Sequence, residues 1–163
     1  MSLDNIQLSP AMLQNLYKDS LINLVPGEKS KEKLQNPSIP SLGKNAKKIT
    51  IITHTAGTAF LGDAELNLLI NMLSACKLTL EDIALVNSFD NGEVIYENIL
   101  ATFSPSVVIF FGIKPSELGF PLEFPAYQVQ RYNGMSLLAS VPLEQLASDV
   151  NEKKYLWKSL QLL

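Results

Sequence analysis

Cysteine and histidine are scarce in this sequence of 163 residues, which has one of each. The lone cysteine, Cys76, excludes an intramolecular disulfide and any zinc site built from cysteines. No apolar run reaches the roughly 18 to 20 residues that a membrane-spanning helix needs. The first ten residues lack the basic and then apolar stretch of a signal peptide. We therefore expect a cytoplasmic protein that does not enter the membrane.

Charged residues are also few, at 18% of the chain, whereas hydrophobic residues make up 47%. This apolar share excludes a disordered protein, because the chain can bury enough apolar surface to offset the entropy lost on folding. The length suits one domain of ordinary size with a substantial core.

The charges are unevenly distributed along the chain. Of the thirteen basic residues, six lie between positions 26 and 48, where there are only two acidic residues. These six are Lys29, Lys31, Lys33, Lys44, Lys47 and Lys48. Since the whole chain has a net charge of −3, the rest of it is acidic. Neutralised phosphates supply most of a protein's affinity for duplex DNA, so we expect no direct duplex binding.

The first 47 residues divide into two segments. Ser9-Pro10 is typical of a helix start, because serine can cap the helix and proline suits its first turn. A Pro-Gly pair follows residue 25, and the next residues have almost no apolar periodicity. The sequence therefore predicts an N-terminal helix over 1–25 and a lysine-rich linker over 26–47. The apolar residues at helical spacing in this helix include Leu13, Leu16, Tyr17 and Leu21.

Residues 48–163 alternate strand-like and helix-like patterns, which is typical of an α/β domain. The predicted strands are 49–53, 84–87 and 106–111, and the predicted helices are 63 to about 77 and 93–103. The run at 106–111 is almost wholly apolar, as in a central parallel strand that is covered on both faces.

The pattern from residue 127 to the end of the sequence predicts a hairpin followed by two helices. Asn133-Gly134 favours a type I′ turn between strands at 127–132 and 135–139. A first helix, opened by Pro142, places Val150 inward with Leu143 and Leu146, and Asn151 caps the last helix. We expect Trp157 to pack against the helices that flank the sheet. The whole pattern predicts a three-layer α/β/α domain with a mostly parallel sheet of about five strands and an antiparallel edge hairpin.

One loop is a candidate ligand site. It follows the first predicted strand, and ligands of open α/β sheets gather at the carboxyl ends of the strands. Its residues, with the glycine that ends the strand at 106–111, are Thr53, His54, Thr55, Gly57, Thr58 and Gly112. Hydroxyls and glycine can meet a phosphate, but the loop lacks the lysine of a Walker A motif. The alternative is a polar turn whose hydroxyls bond to local backbone.

No set of residues with catalytic or metal-binding spacing stands out elsewhere. Cys76 lies on the apolar stripe of a predicted helix, where a free cysteine behaves as a small hydrophobe. The close acidic pairs 63/65 and 81/82 are explained by helix capping. An aromatic and proline-rich stretch at 120–127 either packs over the sheet or forms a partner surface. We assign no catalytic residue, metal or cofactor.

The last third of the chain resembles the psi subunit of bacterial DNA polymerase III. That family ends with a hairpin strand, a short Pro/Leu-rich helix and a final helix with a Leu-Trp pair behind basic residues. The matching residues here are Pro142, Leu143, Leu146, Asn151, Lys153 or Lys154, Leu156 and Trp157. The predicted strands and helices from residue 49 onward follow the same order as those of the family, so the resemblance covers roughly residues 49–163.

The resemblance implies a non-catalytic subunit that bridges replication proteins. The family's N-terminal segment engages clamp loader subunits, and its folded domain pairs with the chi subunit, which contacts single-strand-binding protein. The resemblance therefore implies that the N-terminal helix binds a clamp loader subunit, through Leu13, Leu16, Tyr17 and Leu21. The N-terminal segment here has no tryptophan, in which it departs from the family. Two other hypotheses stay open. In the first, the protein binds a nucleotide or another small ligand at the loop 53–58 and could be an enzyme. In the second, it is a homodimer that buries residues 120–127.

Overall fold

The computed structural model describes residues 38–163. The predicted N-terminal helix, with Leu13, Leu16, Tyr17 and Leu21, and most of the predicted linker lie outside the described residues.

The described chain forms one five-stranded sheet flanked by helices. The strands are β1 (Ile49–Thr53), β2 (Ile83–Asn87), β3 (Val107–Phe111), β4 (Val129–Tyr132) and β5 (Met135–Ser140). The helices are α1 (Asp63–Ala75), α2 (Tyr96–Phe103), α3 (Leu143–Ser148) and α4 (Val150–Leu160). Two 3-10 turns, Leu80–Asp82 and Pro115–Leu118, precede β2 and follow β3.

The strand order is β2-β1-β3-β5-β4. Every neighbouring pair is parallel except β4 and β5, which form the antiparallel hairpin at one edge. The fold class predicted from the sequence is thereby confirmed. The hairpin turn is also as predicted, since Asn133 and Gly134 have φ of 50° and 77°, the positive values that a type I′ turn requires.

Each face of the sheet has its own core, because side chains of a strand alternate between the two faces. On one face Ile51, Ile109 and Leu138 pack with buried residues of α1, α3 and α4. On the other face Ile52, Val108, Phe110 and Leu137 pack with buried residues of α2.

The aromatic and proline-rich stretch at 120–127 completes the core on the α2 side. Phe120 is buried and meets the ring of Phe110 edge-on, with centroids 5.1 Å apart. Its ring also lies 4.6 Å from that of Tyr96 in α2. Leu122 and Phe124 are partly buried against the same cluster. Most of this apolar stretch is thus used inside the fold.

Residues 38–47, which the sequence assigned to the linker, lie along the free edge of β2. Leu42 and Leu85 exchange two backbone hydrogen bonds of 2.9 and 2.8 Å, and Ile39 is buried in the core on the α2 side. A side chain at Gly43 would place its Cβ 2.2 Å from the carbonyl oxygen of Ile83, so this close approach requires glycine. The segment covers an edge that would otherwise expose unpaired backbone groups.

Two helix starts differ from the sequence pattern. Helix α2 begins at Tyr96 rather than at 93, because residues 91–95 form a turn in which Asn91 accepts a hydrogen bond from the backbone of Glu93. The cap of α4 is Asp149 rather than Asn151: its carboxylate accepts from the backbone nitrogen of Asn151 at 2.8 Å.

The change of cap alters which residues of the C-terminal helices point inward. Val150 becomes the first residue of α4 and is 64% exposed, whereas the sequence pattern placed it in the core with Leu143 and Leu146. Those two leucines are buried as predicted. Among residues 38–163, no helix has both the length and the apolar character needed to cross a membrane.

Candidate functional site

The loop after β1 lies at the point where the strand order reverses. From β1 the chain passes to β2 on one side, and from β2 it returns to β3 on the other side of β1. Ligands of open α/β sheets bind at such a point, outside the carboxyl ends of the strands. The candidate residues after β1 and β3 are therefore brought to the same edge of the sheet, as their positions in the sequence suggest.

Asn87, at the end of β2, holds this loop in place. Its amide oxygen accepts from the backbone nitrogens of Thr55 and Phe89, both at 3.1 Å. Its amide nitrogen donates to the carbonyls of Thr55 and Thr58, at 2.8 and 3.0 Å. Asn87 is buried, and these four bonds use both donors and both acceptor positions of its amide. The loop conformation is thus fixed by the protein itself.

The hydroxyl hydrogen of Thr53, the first residue of the loop, is already used within the protein. Thr53 is buried, and its hydroxyl lies 3.2 Å from the carbonyl oxygen of Val86 and 3.4 Å from that of Phe60. Gly57 has a φ of 78°, so it serves the turn of the chain.

His54 is exposed and makes one polar contact, between its Nδ1 and the Oγ of Ser88 at 3.0 Å. Ser88 donates its own hydroxyl hydrogen to the carbonyl of Thr53 at 2.9 Å. Nδ1 of His54 is then the donor and Ser88 the acceptor, so this pair is not arranged as a base and a nucleophile. The histidine ring also meets Phe89 edge-on, with centroids 5.3 Å apart.

A polar cavity of about 250 Å³ lies beside the loop, between the ends of β1 and β3. His54 and Thr55 line it together with two carboxylates, Glu65 of α1 and Glu144 of α3. Its lining contains no lysine or arginine. Two acidic side chains without a basic one oppose phosphate binding, which was the chemistry suggested by the hydroxyls and glycines of the loop.

Gly112 has a packing role at the end of β3. Its φ is 73°, and an added Cβ would lie 3.0 to 3.3 Å from three atoms of Pro142. The glycine therefore allows the start of the α3 segment to pass close to β3.

The other polar candidates are also used locally. Glu65 accepts a hydrogen bond from the backbone nitrogen of Gly62, and Asp82 accepts from the backbone nitrogen of Thr79 at 2.8 Å. These two carboxylates thus cap helical turns, as expected. The other member of each pair does not: Asp63 is the first residue of α1, and Glu81 forms an exposed ion pair with Lys44. Burial raises the pKa of the Cys76 thiol, which disfavours the reactive thiolate. Within residues 38–163, no three histidine, cysteine or acidic side chains are grouped as metal ligands.

A second surface was not anticipated from the sequence. Trp157 is 39% exposed, so the expectation that it packs against the helices flanking the sheet is wrong. Leu156 takes the buried position instead, at 1% exposure. Val150 and Trp157 are seven residues apart in α4 and therefore share one helix face, on which both side chains are exposed.

Trp157 lines a groove between α1 and α4, with a cavity of about 680 Å³, which we call the α1–α4 groove. Each wall is a stripe of residues at helical spacing. The α1 wall consists of Leu68, Asn71, Met72 and Ala75, and the α4 wall includes Val150, Lys153, Lys154 and Trp157. Lys158 also lines the groove, and no acidic residue does.

A smaller apolar cavity of about 240 Å³ lies beneath the groove. Met72 and Leu160 line both spaces, so the two are neighbours. The smaller cavity reaches the sheet at Ile49, Val107 and Ile109. Helix α3 packs against both α1 and α4. The helical layer on this face is thus closed on the α3 side and open between α1 and α4.

No model of a known protein family matches the chain. A search of curated proteins gives no significant match.

Proposed function

We propose that this protein is a non-catalytic adaptor that binds other proteins. The observation that carries the proposal is the α1–α4 groove, in which Trp157 and Val150 are exposed beside further apolar side chains. An exposed apolar surface with a polar rim is typical of protein-binding sites. Tryptophan is also enriched among the residues that contribute most to binding at interfaces.

The assembly we propose is the replicative DNA polymerase, with this chain as its psi-like subunit in the cytoplasm. The Leu156-Trp157 pair and the preceding Lys153 and Lys154, on which the resemblance rests, lie in α4. Lys153, Lys154 and Trp157 face the groove. In this proposal the segment 1–25 binds clamp loader subunits, and the folded domain binds a second protein, such as a chi-like subunit.

The test is affinity capture from a lysate of the native host, with the captured proteins identified by mass spectrometry. The baits are full-length wild type and a double variant, Leu16→Ala with Tyr17→Ala. Apolar anchors contribute most of the binding energy of a short helix, so the double variant should bind clamp loader subunits more weakly by about 2 kcal/mol or more. The matched control is Gln14→Ala with Asn15→Ala, which changes polar neighbours in the same segment and should capture as wild type does.

Two results would count against this assignment. Capture of no replication protein by wild type would remove the psi-like assignment. Equal capture by wild type and the Leu16/Tyr17 variant would show that segment 1–25 is not the contact with the clamp loader.

The polar cavity beside His54 favours a second candidate, a small-ligand-binding protein with a possible enzymatic activity. Because Glu65 and Glu144 line the cavity, this candidate would select a cationic ligand rather than a nucleotide phosphate. Thermal unfolding with divalent cations, polyamines and nucleotides tests it. A rise in melting temperature that Glu144→Gln abolishes would support this candidate, and no rise with any of these ligands would reject it.

A further inference from the structure

The α1–α4 groove is a gap between two helices of the layer that covers one face of the sheet. Below it, apolar side chains of β1 and β3 line the smaller cavity, which has Met72 and Leu160 at its border with the groove. Leu68 and Met72 are half-buried on one wall, and Trp157 is exposed on the other. An occupant with apolar side chains could fill this gap and remove that surface from water, which is the main source of binding energy.

The charged residues that line the groove indicate the charge of the occupant. Residues 38–163 contain nine basic and twelve acidic side chains, so the domain as a whole is acidic. At the groove the balance is reversed, with three lysines and no acidic residue in its lining. Within the described part of the chain, neither Lys154 nor Lys158 forms an ion pair, and Lys153 donates to the carbonyl of Ala147 at 3.2 Å. Their charges are available to an acidic partner.

We propose that the α1–α4 groove binds an acidic amphipathic helix of a partner protein. Its apolar side chains enter the gap between α1 and α4, and its flanking carboxylates pair with Lys153, Lys154 and Lys158. A helix in an apolar groove is a common mode of peptide recognition, and complementary charges at the rim set its specificity and orientation. This inference rests on the proposed adaptor function and names the partner's chemistry.

A second copy of this chain is a poorer occupant. In a symmetric dimer the same surface patch meets itself, so the lysines of both copies would lie on opposite sides of one interface. Like charges brought together in this way oppose association.

The experiment selects helix-forming peptides of 16 residues from a displayed library, with the full-length chain as bait. The enriched peptides should carry aspartate or glutamate beside apolar residues at helical spacing. A synthetic enriched peptide without tryptophan should shift the emission of Trp157, the chain's single tryptophan, to shorter wavelengths as the ring leaves water.

A charge swap tests the pairing. The variant Lys154→Glu with Lys158→Glu should bind the acidic peptide at least tenfold more weakly and should regain affinity for a peptide with lysine at the acidic positions. The control Lys77→Glu with Lys114→Glu makes the same charge change at exposed lysines outside the groove and should bind as wild type does. Ala75→Trp, which fills the groove from an exposed position, should abolish binding.

The proposal is overturned if no acidic peptide is enriched, or if the charge-reversed variant binds the enriched peptides as wild type does. It is also overturned if the occupant is a second copy, seen as self-association that Ala75→Trp abolishes, or if a synthetic peptide of residues 1–25 binds the groove instead. Failure of the groove proposal can be told apart from failure of the adaptor function. If the full-length chain still captures clamp loader subunits through Leu16 and Tyr17, the adaptor function holds although the groove proposal fails.

Discussion

Ser159 in α4 donates its hydroxyl hydrogen to the backbone carbonyl of Tyr127, at 2.6 Å. Tyr127 has a φ of +65°, which a residue with a side chain seldom adopts. Its backbone nitrogen donates to the carbonyl of Ala139 in β5 at 2.8 Å, and its hydroxyl donates to Glu152 in α4. Two hydrogen bonds therefore link α4 to the start of the hairpin. Both involve Tyr127, whose backbone conformation is unfavourable.

We expect Ser159→Ala to lower the free energy of unfolding by about 1 to 2 kcal/mol. Ser159 is buried, and its loss leaves the carbonyl of Tyr127 without its donor while the strained backbone remains. Urea denaturation measures the change. Ser148→Ala, an exposed serine that bonds within its own helix, should change stability by less than about 0.5 kcal/mol. Equal effects of the two substitutions would mean that the link to Tyr127 adds nothing.

The stability of the fold should fall between pH 10 and pH 12 because of Tyr127. Burial first, and then the hydrogen bond to Glu152, raise the pKa of Tyr127 from 10.0 to about 12. Above pH 10 the unfolded chain releases this proton while the folded chain retains it, so ionisation favours unfolding.

Denaturant midpoints measured across this pH range should fall less steeply for Tyr127→Phe than for wild type. Tyr132→Phe is the control, since it removes a tyrosine that has no bond to Glu152. An unchanged slope in Tyr127→Phe would contradict the assignment.

The features that the sequence predicted are those set by local pattern. The alternation of strand-like and helix-like patterns predicted the sheet. Asn133-Gly134 predicted its hairpin, because a type I′ turn needs two residues that tolerate positive φ. The structure differs from the sequence prediction where two nearby residues can serve the same role and tertiary contacts decide between them. Asp149 and Asn151 are both good caps, and the selection of Asp149 makes the exposed Val150 the first residue of α4.

The candidate site was harder to predict than the fold. The sequence identified the loop at 53–58 but not Asn87, which organises it from 29 to 32 residues away along the chain. The available signal was a polar residue at the end of an apolar strand next to the loop. The α1–α4 groove gave no comparable signal, since a gap depends on how far apart two helices pack rather than on the residue pattern of either one.

Asn87→Ala should destabilise the protein by roughly 2 to 4 kcal/mol, because it removes four hydrogen bonds to backbone groups at once. Chemical denaturation measures the loss. Asn87→Asp keeps the acceptor but loses both donor bonds, so it should also destabilise. His54→Ala, in the same loop but exposed, should match wild type within about 0.5 kcal/mol. A large effect at His54 would instead indicate that the loop depends on its contact with Ser88.

Leu156 and Trp157 are neighbours that should respond differently to truncation. Leu156→Ala empties a fully buried position and should cost about 2 to 5 kcal/mol. Trp157→Ala should cost less than Leu156→Ala, because part of the ring is already in water. Native Trp157 fluorescence should be readily quenched by acrylamide. A strongly protected, blue-shifted emission in the isolated protein would show that the groove is closed or already occupied.

The segment 38–47 should belong to the folded domain in solution. A chain that starts at residue 48 would lose the backbone pair between Leu42 and Leu85 and the bond from the Asn45 side chain to the carbonyl of Phe103. It would also lose Ile39 from the core, where burial of such a side chain contributes about 1.5 to 3 kcal/mol.

We therefore expect a chain of residues 38–163 to be more stable than one of residues 48–163 by about 3 kcal/mol or more. Ile39→Ala in the full-length chain should reproduce part of this difference, and Lys44→Ala, which breaks only an exposed ion pair with Glu81, should have little effect. Thermal and urea denaturation of the four proteins measure these changes. If the two truncated chains were equally stable, residues 38–47 would be an appendage to the sheet edge, and the domain would begin at β1 as the sequence pattern suggested.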